Sequence, residues 1–250
     1  MPYHEQNITS VRRWSPKTFS FTTTRPPDFA FENGQFVTLG LRREGKLVPR
    51  AYSIVSDPRE PDLEFLSIHV PDGQLTSQLA ELGVGDHVWI NSKVTGSLTL
   101  DHVQPGRNLY LLATGTGLAP FISLIRGEKV YERFERVVLV HSVRTATELS
   151  YRDEIEERAG DTLRYVPTVT REPHANNQRG ADLFRSGELF RLLDLPPADP
   201  AQDRVMLCGN PQMNREMTDY LKTNGWTMTS YKGVGNFTVE QAFVGVAGGD

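Results

Sequence analysis

Three polar residues on one predicted strand could take part in chemistry that a buried strand does not need. The segment VPRAYSIVS, residues 48–56, has the β-branched and aromatic composition of a strand. It nevertheless contains a cation, a phenol and a hydroxyl, at Arg50, Tyr52 and Ser53. Two interpretations are open at this point. The three side chains belong to a binding site, or Arg50 and Tyr52 are an ordinary outward-facing pair on a half-exposed strand.

A glycine turn, ATGTGLAP at residues 113–120, follows another predicted strand. Gly115 and Gly117 allow the backbone to turn tightly and to approach a ligand closely. Pro120 suits the first turn of a helix, and the free N–H groups at such a helix start suit a pyrophosphate. The turn differs from a Rossmann fingerprint, because Pro120 stands where the third glycine is expected and no acidic residue ends the next strand.

Arginines take the place of that acidic residue. Arg144 ends the next predicted strand, and a cation near the adenosine ribose favours NADP over NAD. We expect Arg171 and Arg179, which follow in later loops, to converge on the same 2′-phosphate, because a planar guanidinium matches phosphate oxygens. The alternative is that the three arginines lie on a solvated face, as most surface arginines do.

The segment CGNP, residues 208–211, ends a further predicted strand. Cys208 and Gly209 are predicted to form a tight shelf beside a ligand, and Pro211 opens the next helix. Nothing near Cys208 in sequence indicates a lowered thiol pKa, so it is not predicted to be a nucleophile. The alternative role for Cys208 is that of a small buried hydrophobic residue.

Composition excludes several classes of protein. The net charge of −4 gives no global basic field for nucleic acid, and no apolar run approaches the length of about 20 residues that a membrane helix needs. The single cysteine excludes an intramolecular disulfide and a cluster held by four thiolates of this chain. The chain lacks H-E-x-x-H and G-x-S-x-G, and its six histidines are scattered, so we expect them at the surface or in local hydrogen bonds. The N-terminus lacks the pattern of an export signal, which predicts a cytoplasmic protein.

The first hundred residues are predicted to form short strands separated by turns, which is typical of an antiparallel barrel or sandwich. A short helix is predicted over residues 75–82. The predicted strands are residues 18–24, 35–41, 48–56, 63–70 and 87–94.

From about residue 103, strands alternate with helices, which predicts a parallel sheet with right-handed crossovers. We therefore predict an antiparallel β-barrel domain over residues 1–102 and an α/β domain over residues 103–250. Such sheets bind ligands at the carboxyl ends of their strands, where the glycine turn and CGNP stand. The predicted strands are 108–113, 136–141, 162–169, 204–208 and 226–232, and the predicted helices are 119–131, 148–158, 187–193 and 211–222.

The motifs R-x-Y-S, G-T-G-x-A-P and C-G-N-P, in that order across a barrel and an α/β domain, resemble the ferredoxin–NADP⁺ reductase family. The resemblance covers nearly the whole chain, and RAYS, VPDGQLTSQL and AFVG are similar to its bacterial ferredoxin/flavodoxin branch. It implies an FAD-dependent oxidoreductase that passes electrons between NADPH, as a hydride, and ferredoxin or flavodoxin, singly. The barrel would bind FAD and the α/β domain NADP.

The resemblance also implies roles for single residues on the FAD side. Arg50 would pair with the FAD pyrophosphate, Tyr52 would lie flat against the isoalloxazine, and Ser53 would place its hydroxyl near flavin N5. Strict alternation does not put Tyr52 and Ser53 on one face, so we expect either a bent strand or a flavin that wraps the strand edge. Thr116 would touch both cofactors. The other residues implied in FAD binding are Ala51, Ile68, His69, Val70, Leu75, Thr76, Ser77 and Phe243.

For NADP, the resemblance implies Gly115, Gly117 and Gly209 along the dinucleotide, the three arginines on its 2′-phosphate, and Cys208 with Thr116 near the nicotinamide. Ala242 would lie by the second face of the flavin, and Phe243 would stack on the FAD adenine, unless it packs in the core. The family's photosynthetic-type members end in an aromatic residue, whereas this chain continues to Asp250, so the role of residues 244–250 stays open. The implied catalytic set is Tyr52, Ser53, Cys208 and Ala242.

The expected partners are acidic ferredoxin or flavodoxin, and a monomer is predicted. Residues 1–50 hold eight Lys or Arg against four Asp or Glu, so they have a local balance of +4 that could steer an acidic carrier. An evenly solvated surface is the alternative. The candidate patch consists of Arg12, Arg13, Lys17, Arg42, Arg43 and Lys46.

Two rival functions remain open. One is an NADH-linked flavin reductase that uses FMN, against which the arginine set argues. The other is a flavin-binding sensory module without turnover.

Overall fold

Six strands form an antiparallel sheet in the first part of the molecule. The computed structural model describes residues 2–241. The strand order in the sheet is β4-β3-β6-β1-β2-β5. The strands are β1 (Tyr3–Arg13), β2 (Thr18–Thr23), β3 (Phe36–Arg43), β4 (Lys46–Ser53), β5 (Leu63–Ile68) and β6 (His87–Thr95), and a single-turn helix, α1, covers Thr76–Leu79.

The two outer strands of this sheet meet and turn it into a barrel. Just beyond β4, Ile54 forms an antiparallel bridge with Phe65 of β5, and the backbone N–H of Val55 donates to the carbonyl oxygen of Glu64 at 2.8 Å. The interior is filled by fully buried side chains such as Phe19 and Phe21. Their burial stabilises the barrel because apolar surface leaves water.

Five parallel strands form the second sheet, in the order β11-β10-β7-β8-β9. Nearly every residue of β7, β8 and β10 is buried, as expected for a parallel sheet covered on both faces. The strands are β7 (Asn108–Thr114), β8 (Arg136–Val143), β9 (Leu163–Val169), β10 (Arg204–Gly209) and β11 (Phe237–Gln241). The helices are α2 (Ala119–Arg126), α3 (Lys129–Arg133), α4 (Arg152–Arg158), α5 (Gly180–Ser186), α6 (Glu188–Leu192) and α7 (Pro211–Thr223).

An antiparallel barrel followed by a parallel α/β sheet confirms the predicted fold class. The last predicted strand, at residues 226–232, is wrong. Met228 forms only an isolated bridge to Phe237, and Ser230 and Gly233 close a tight turn that leaves Tyr231 94% exposed. The strand that pairs with β10 begins at Phe237, five residues after the end of the predicted strand at Lys232. The pattern of residues 226–232 resembles a strand because Trp226 at its start is buried and Met228 is half-buried, although the segment itself is a loop.

The helix predicted over residues 119–131 is two helices. The chain leaves α2 at Gly127, whose φ of −76° and ψ of 151° are extended. A Cβ at this position would lie 2.8 Å from the side-chain oxygen of Asn33 in the barrel. Gly127 therefore ends the helix at a point where the two domains touch.

Candidate functional site

Arg50 and Tyr52 point to the same side of β4. Their partners on β3 are Leu39 and Val37, both buried, and cross-strand partners share a face of the sheet. Arg50 is nevertheless exposed at the barrel rim, where its Nη2 donates to Oε1 of Gln74 at 3.2 Å. This contact places the cation beside the start of α1, so a positive charge and the first turn of a helix lie together, as a pyrophosphate requires.

The Tyr52 ring is held by the barrel interior. It is 9% exposed, lies edge-on to Phe65 with ring centroids 6.4 Å apart, and its hydroxyl lies 3.2 Å from the Ser67 hydroxyl. Burial raises the pKa of Tyr52 to about 12, so the phenol stays neutral. Ser53 is half-buried and stands opposite Phe36, on the other side of the strand, as alternation predicts. Ala51, between Arg50 and Tyr52, is exposed.

The segment after β5 brings the remaining predicted FAD residues to the same rim. Ile68 and His69 are half-buried, and the backbone N–H of His69 donates to the Lys17 carbonyl oxygen at 2.6 Å. Val70 is 41% exposed, whereas Leu75 is buried at the start of α1.

The hydroxyls at the start of α1 already donate hydrogen bonds to backbone carbonyl oxygens. Thr76 Oγ1 donates to the Val70 carbonyl oxygen at 3.4 Å, and Ser77 Oγ donates to the Gly73 carbonyl oxygen at 2.6 Å. The helix is four residues long rather than the predicted eight, and no side chain caps it. An anion at this helix would therefore meet backbone N–H groups rather than these hydroxyls.

The two glycines of the turn after β7 are needed for different structural reasons. Gly115 has a left-handed φ of +54° and is exposed, and no atom lies within 4 Å of the place where its Cβ would stand. A Cβ on Gly117 would lie 2.2 Å from the carbonyl oxygen of Cys208. Gly115 thus opens the turn to a ligand, whereas Gly117 lets the turn pack against β10. Thr116, between them, is buried.

The end of β10 interlocks with the end of β7. A Cβ on Gly209 would lie 2.2 Å from Thr114 Oγ1. That oxygen accepts from the backbone N–H of Asn210 at 2.8 Å, and Asn210 Oδ1 in turn accepts from Met213 N at 2.9 Å and caps α7. Sequence reasoning missed both Thr114 and Asn210, although Asn is a preferred helix cap and precedes Pro211.

Cys208 is 1% exposed, and burial raises the pKa of its thiol far above the usual range. The thiol is therefore neutral, which agrees with the prediction that it is not a nucleophile. The residue lines the contact between β10 and the glycine turn.

His141 is a site residue that sequence reasoning missed. Of the two places expected for the histidines, the surface or a local hydrogen bond, His141 does not take the first, since it is 0% exposed at the end of β8. Its Nε2 lies 3.0 Å from the Gly115 carbonyl oxygen, and burial lowers its pKa to about 4. The neutral imidazole therefore donates its Nε2 proton and fixes the peptide plane that follows Gly115. A histidine inside the otherwise apolar run RVVLVH was the available signal.

The three predicted phosphate-binding arginines come from segments that meet at one edge of the sheet. The backbone N–H of Arg171 donates to the Arg144 carbonyl oxygen at 2.9 Å. Ser142, two residues before Arg144, accepts from the backbone N–H of Gly180 at 2.9 Å, and Gly180 directly follows Arg179. All three arginines are exposed at this edge. The sheet therefore brings the backbone segments that carry the three arginines to one edge.

The second sheet ends next to the barrel at Glu240 on β11. Its carboxylate accepts from the Ser97 hydroxyl at 3.0 Å and from the Ser97 backbone N–H, and burial raises its pKa. The predicted flavin neighbours Ala242 and Phe243, and the tail 244–250, lie outside the described residues.

None of the helices within residues 2–241 combines the length and the apolar character that crossing a membrane requires. In the same residues, no group of three or more His, Cys, Asp or Glu side chains could hold a metal ion. The polar features of this part of the chain are instead an exposed arginine beside a helix start, an open glycine turn and an edge with three arginines. These features fit phosphate-containing dinucleotides.

Comparison with known proteins agrees with this site. Residues 7–97 match the oxidoreductase FAD-binding domain, and residues 111–219 match the oxidoreductase NAD-binding domain. The chain is 46% identical to the ferredoxin–NADP reductase of Pseudomonas aeruginosa, over 96% of this chain and 98% of the relative. It is 40% identical to the flavodoxin/ferredoxin–NADP reductase of Rhodobacter capsulatus, over 96% of this chain and 93% of that relative.

A solved structure is similar over the same length. The crystal structure of a ferredoxin–NADP⁺ reductase from Neisseria gonorrhoeae with bound FAD and NADP matches with a TM-score of 0.92 and 29% identity. The match covers 97% of this chain and 100% of that chain.

Proposed function

This chain belongs to the ferredoxin–NADP⁺ reductase family, and from that premise we propose that it works in the cleft between the barrel rim and the carboxyl edge of the second sheet. It is an FAD-dependent oxidoreductase that passes electrons between NADPH and ferredoxin or flavodoxin. Bound FAD supplies the exchange between two-electron hydride chemistry and single electrons. The protein supplies binding, orientation and electrostatics.

On the barrel side, Arg50 holds the FAD pyrophosphate together with the backbone N–H groups at the start of α1. The position of its guanidinium beside Gln74 supports this role. Tyr52 presents a rigid neutral ring to one face of the flavin, and Ser53, on the opposite side of the strand, reaches N5 at the strand edge. Ala51, Ile68, His69, Val70 and Leu75 complete the rim along which the FAD lies, with Thr76 and Ser77 fixing the turn before α1.

On the α/β side, Arg144, Arg171 and Arg179 hold the 2′-phosphate that distinguishes NADPH from NADH. Gly115, whose missing side chain leaves open space, lets the dinucleotide lie against the turn. Gly117 and Gly209 act indirectly, because they let the turn and the end of β10 approach each other.

Near the reacting rings, Cys208 and Thr116 shape the nicotinamide position. The pKa values of Tyr52 and Cys208 are raised and that of His141 is lowered, so all three groups are neutral near pH 7. None of them carries a charge that must change for turnover. The protein therefore accelerates the reaction mainly by positioning, which can supply a large part of a rate enhancement.

Acidic electron carriers are the proposed partners, and they dock on the basic patch of the barrel. Two of its arginines are held by aromatic rings, since the guanidinium carbon of Arg12 lies 3.7 Å from the ring centroid of Trp14 and that of Arg42 lies 4.1 Å from Trp89. Fixed cations support docking because less side-chain freedom is lost on binding. A monomer, a cytoplasmic location and a domain boundary at residue 102 stay predictions.

The observation that carries the proposal is the meeting of the open glycine turn and three arginine segments at one sheet edge. The test is to release and identify the flavin of the purified protein, then to mix the protein anaerobically with NADPH or NADH. We expect FAD, fast flavin reduction by NADPH, slow reduction by NADH, and electron delivery to an acidic ferredoxin or flavodoxin. Bound FMN with a preference for NADH would support the flavin reductase instead, and FAD without reduction of any carrier would support the sensory module.

A further inference from the structure

A single carboxylate of the barrel binds two side chains of the second domain. Glu64, on β5, accepts from Arg126 Nη1 at 2.8 Å through Oε2 and from the Tyr151 hydroxyl at 2.7 Å through Oε1. Arg126 ends α2, and Tyr151 directly precedes α4. We call these three residues the interdomain triad. Each oxygen of the carboxylate therefore has its own partner from across the domain boundary.

The Arg126 guanidinium in the triad is almost fully engaged. Its Nε and Nη2 donate to the Glu154 carboxylate at 2.8 and 2.9 Å, and only 12% of its side chain and 14% of the Glu64 side chain are exposed. A pair this well buried is screened less by solvent than a surface pair, and it holds a defined geometry.

Tyr151 has an unusual backbone. Its φ is +59°, a left-handed conformation that is an outlier for a bulky residue. The side chain is 2% exposed, and the centroid of its ring lies 4.5 Å from the ring centroid of Trp14 in the barrel. The indole Nε1 of Trp14 in turn donates to Ser20 Oγ at 3.1 Å. Strain of this kind persists only where surrounding contacts determine the conformation, and here those contacts include Glu64 and Trp14 of the other domain.

The triad is connected to both halves of the proposed cleft by short paths. The backbone carbonyl oxygen of Glu64 accepts from the backbone N–H of Val55 at 2.8 Å. Val55 lies two residues after Ser53, so this hydrogen bond fixes Glu64 to the end of the proposed flavin strand. Arg126 is the last residue of α2, whose other end follows the glycine turn. The Ser123 hydroxyl of α2 also donates to the Ser56 carbonyl oxygen at 2.8 Å. The triad therefore joins the strand that carries Tyr52 to the helix that carries the turn.

We propose that Glu64, Arg126 and Tyr151 are positioning residues that set the alignment of the flavin strand relative to the glycine turn, and hence of the nicotinamide relative to the flavin. The inference rests on the proposed function of the cleft. None of the three residues lies in either predicted binding set. A misplacement of about 1 Å between reacting groups can cost about 100-fold in rate, so small changes in this contact are expected to affect turnover more than binding.

The test compares Tyr151→Phe and Glu64→Gln with the parent as holoenzymes. Tyr151→Phe removes only a hydroxyl, and Glu64→Gln keeps the shape of its side chain. Tyr131→Phe is a matched control, because the hydroxyl that it removes donates within the second domain, to the Ile125 carbonyl oxygen of α2 at 2.8 Å. The readouts are FAD content, affinity for 2′,5′-ADP, the charge-transfer absorbance formed on addition of NADP⁺, hydrogen exchange of residues 54–56, and the rate of flavin reduction by NADPH.

We expect both triad variants to reduce flavin about tenfold more slowly, with a weaker charge-transfer band and faster hydrogen exchange at residues 54–56. FAD content and 2′,5′-ADP affinity are expected within about twofold of the parent, because neither depends on the alignment of the two domains. Tyr131→Phe is expected to match the parent, and the double variant is expected to be no slower than Glu64→Gln alone, since both changes break one shared contact.

Two outcomes would overturn the proposal. One is a parental reduction rate and charge-transfer band in both triad variants. The other is a parallel loss of FAD content and 2′,5′-ADP affinity, which would show a purely structural role. If the parent itself is not reduced by NADPH, the proposed function has failed, and that failure is recognised before any variant is compared.

Discussion

The barrel rim and the carboxyl edge of the second sheet, the two places where we propose that phosphate groups bind, are built in different ways. At the rim, an exposed side chain of β4, Arg50, extends towards α1 and donates to Gln74 Oε1 and to the Pro49 carbonyl oxygen. At the sheet edge, Gly117 and Gly209 let two turns pack against each other at distances that no side chain could enter. The first site depends on what a side chain reaches, and the second depends on how closely two backbones approach. Substitutions should therefore act through ligand binding at the rim and through the fold at the edge.

The largest expected effect is that of Gly117→Ala. The new methyl group would lie 2.2 Å from the Cys208 carbonyl oxygen, so the turn and β10 must move apart. We expect a loss of about 3 kcal/mol in the free energy of unfolding, measured by chemical denaturation, because overpacking against backbone is costly. Gly115→Ala, which meets no atom but keeps a left-handed φ, is expected to cost about 1 kcal/mol. Equal losses in the two variants would contradict the packing role of Gly117.

At the rim, Arg50→Ala should leave the fold intact and weaken FAD binding. A charged hydrogen bond to an anion contributes about 2 kcal/mol, so the Kd for FAD is expected to rise about 30-fold. The measurement is fluorescence titration of flavin-stripped protein after the parent has been shown to rebind FAD. Arg43→Ala, an exposed arginine of β3, is the control and should bind like the parent. A fall in 2′,5′-ADP affinity in Arg50→Ala would contradict the assignment of Arg50 to the rim alone.

Arg144→Ala tests whether the sheet edge also contains a site that depends on side chains. We expect the KM for NADPH to rise about tenfold while the KM for NADH hardly changes, because on the proposed roles two arginines, Arg171 and Arg179, would still hold the 2′-phosphate. Steady-state kinetics with both nucleotides measures this, and Lys222→Ala, at the end of α7, serves as the control. An equal change for both nucleotides would remove Arg144 from the 2′-phosphate site.

The smallest expected effect concerns His141 and pH. Its pKa is about 4 in the folded chain against 6.5 for an ordinary histidine, so the unfolded chain binds a proton first as pH falls. The stability that neutral His141 contributes is complete above pH 6.5 and is lost as pH falls towards 4. At pH 5.5 we expect a loss of about 1 kcal/mol relative to pH 7, present in the parent and absent in His141→Gln. Denaturation curves at the two pH values measure it, and identical pH dependence in the two proteins would refute the role of His141.

The sequence predicts the fold class, because motifs on strands and at strand ends act locally, whereas the roles of the site residues stay predictions. Arg50, Tyr52 and Gly115 stand where their neighbours in sequence indicate. The interdomain triad could not be predicted in this way, since Glu64, Arg126 and Tyr151 are separated by long stretches of chain and none belongs to a motif. His141 was missed because its partner, the Gly115 carbonyl oxygen, is backbone and lies 26 residues away.

The strand predicted at residues 226–232 shows the opposite error. Trp226 at its start is buried, at 5% exposed, but its backbone forms only isolated bridges, from Met228 to Phe237 and from Ser230 to Gly233. Residue type predicts whether a side chain is buried better than it predicts whether the backbone pairs, because pairing also depends on the neighbouring strand. The true edge strand, β11, follows a glycine-rich turn that the pattern does not distinguish from a strand end.

The exposure of Arg144, Arg171 and Arg179 on loops has a consequence for how this protein can change over evolutionary time. These side chains are exposed on loops at the sheet edge, whereas Gly117 and Cys208, whose contact shapes the turn, are buried. On the roles that we propose for these arginines, coenzyme preference can change without a change in the fold. A descendant lineage could exchange the arginines one at a time and drift towards NADH, while natural selection kept the buried glycine contacts unchanged.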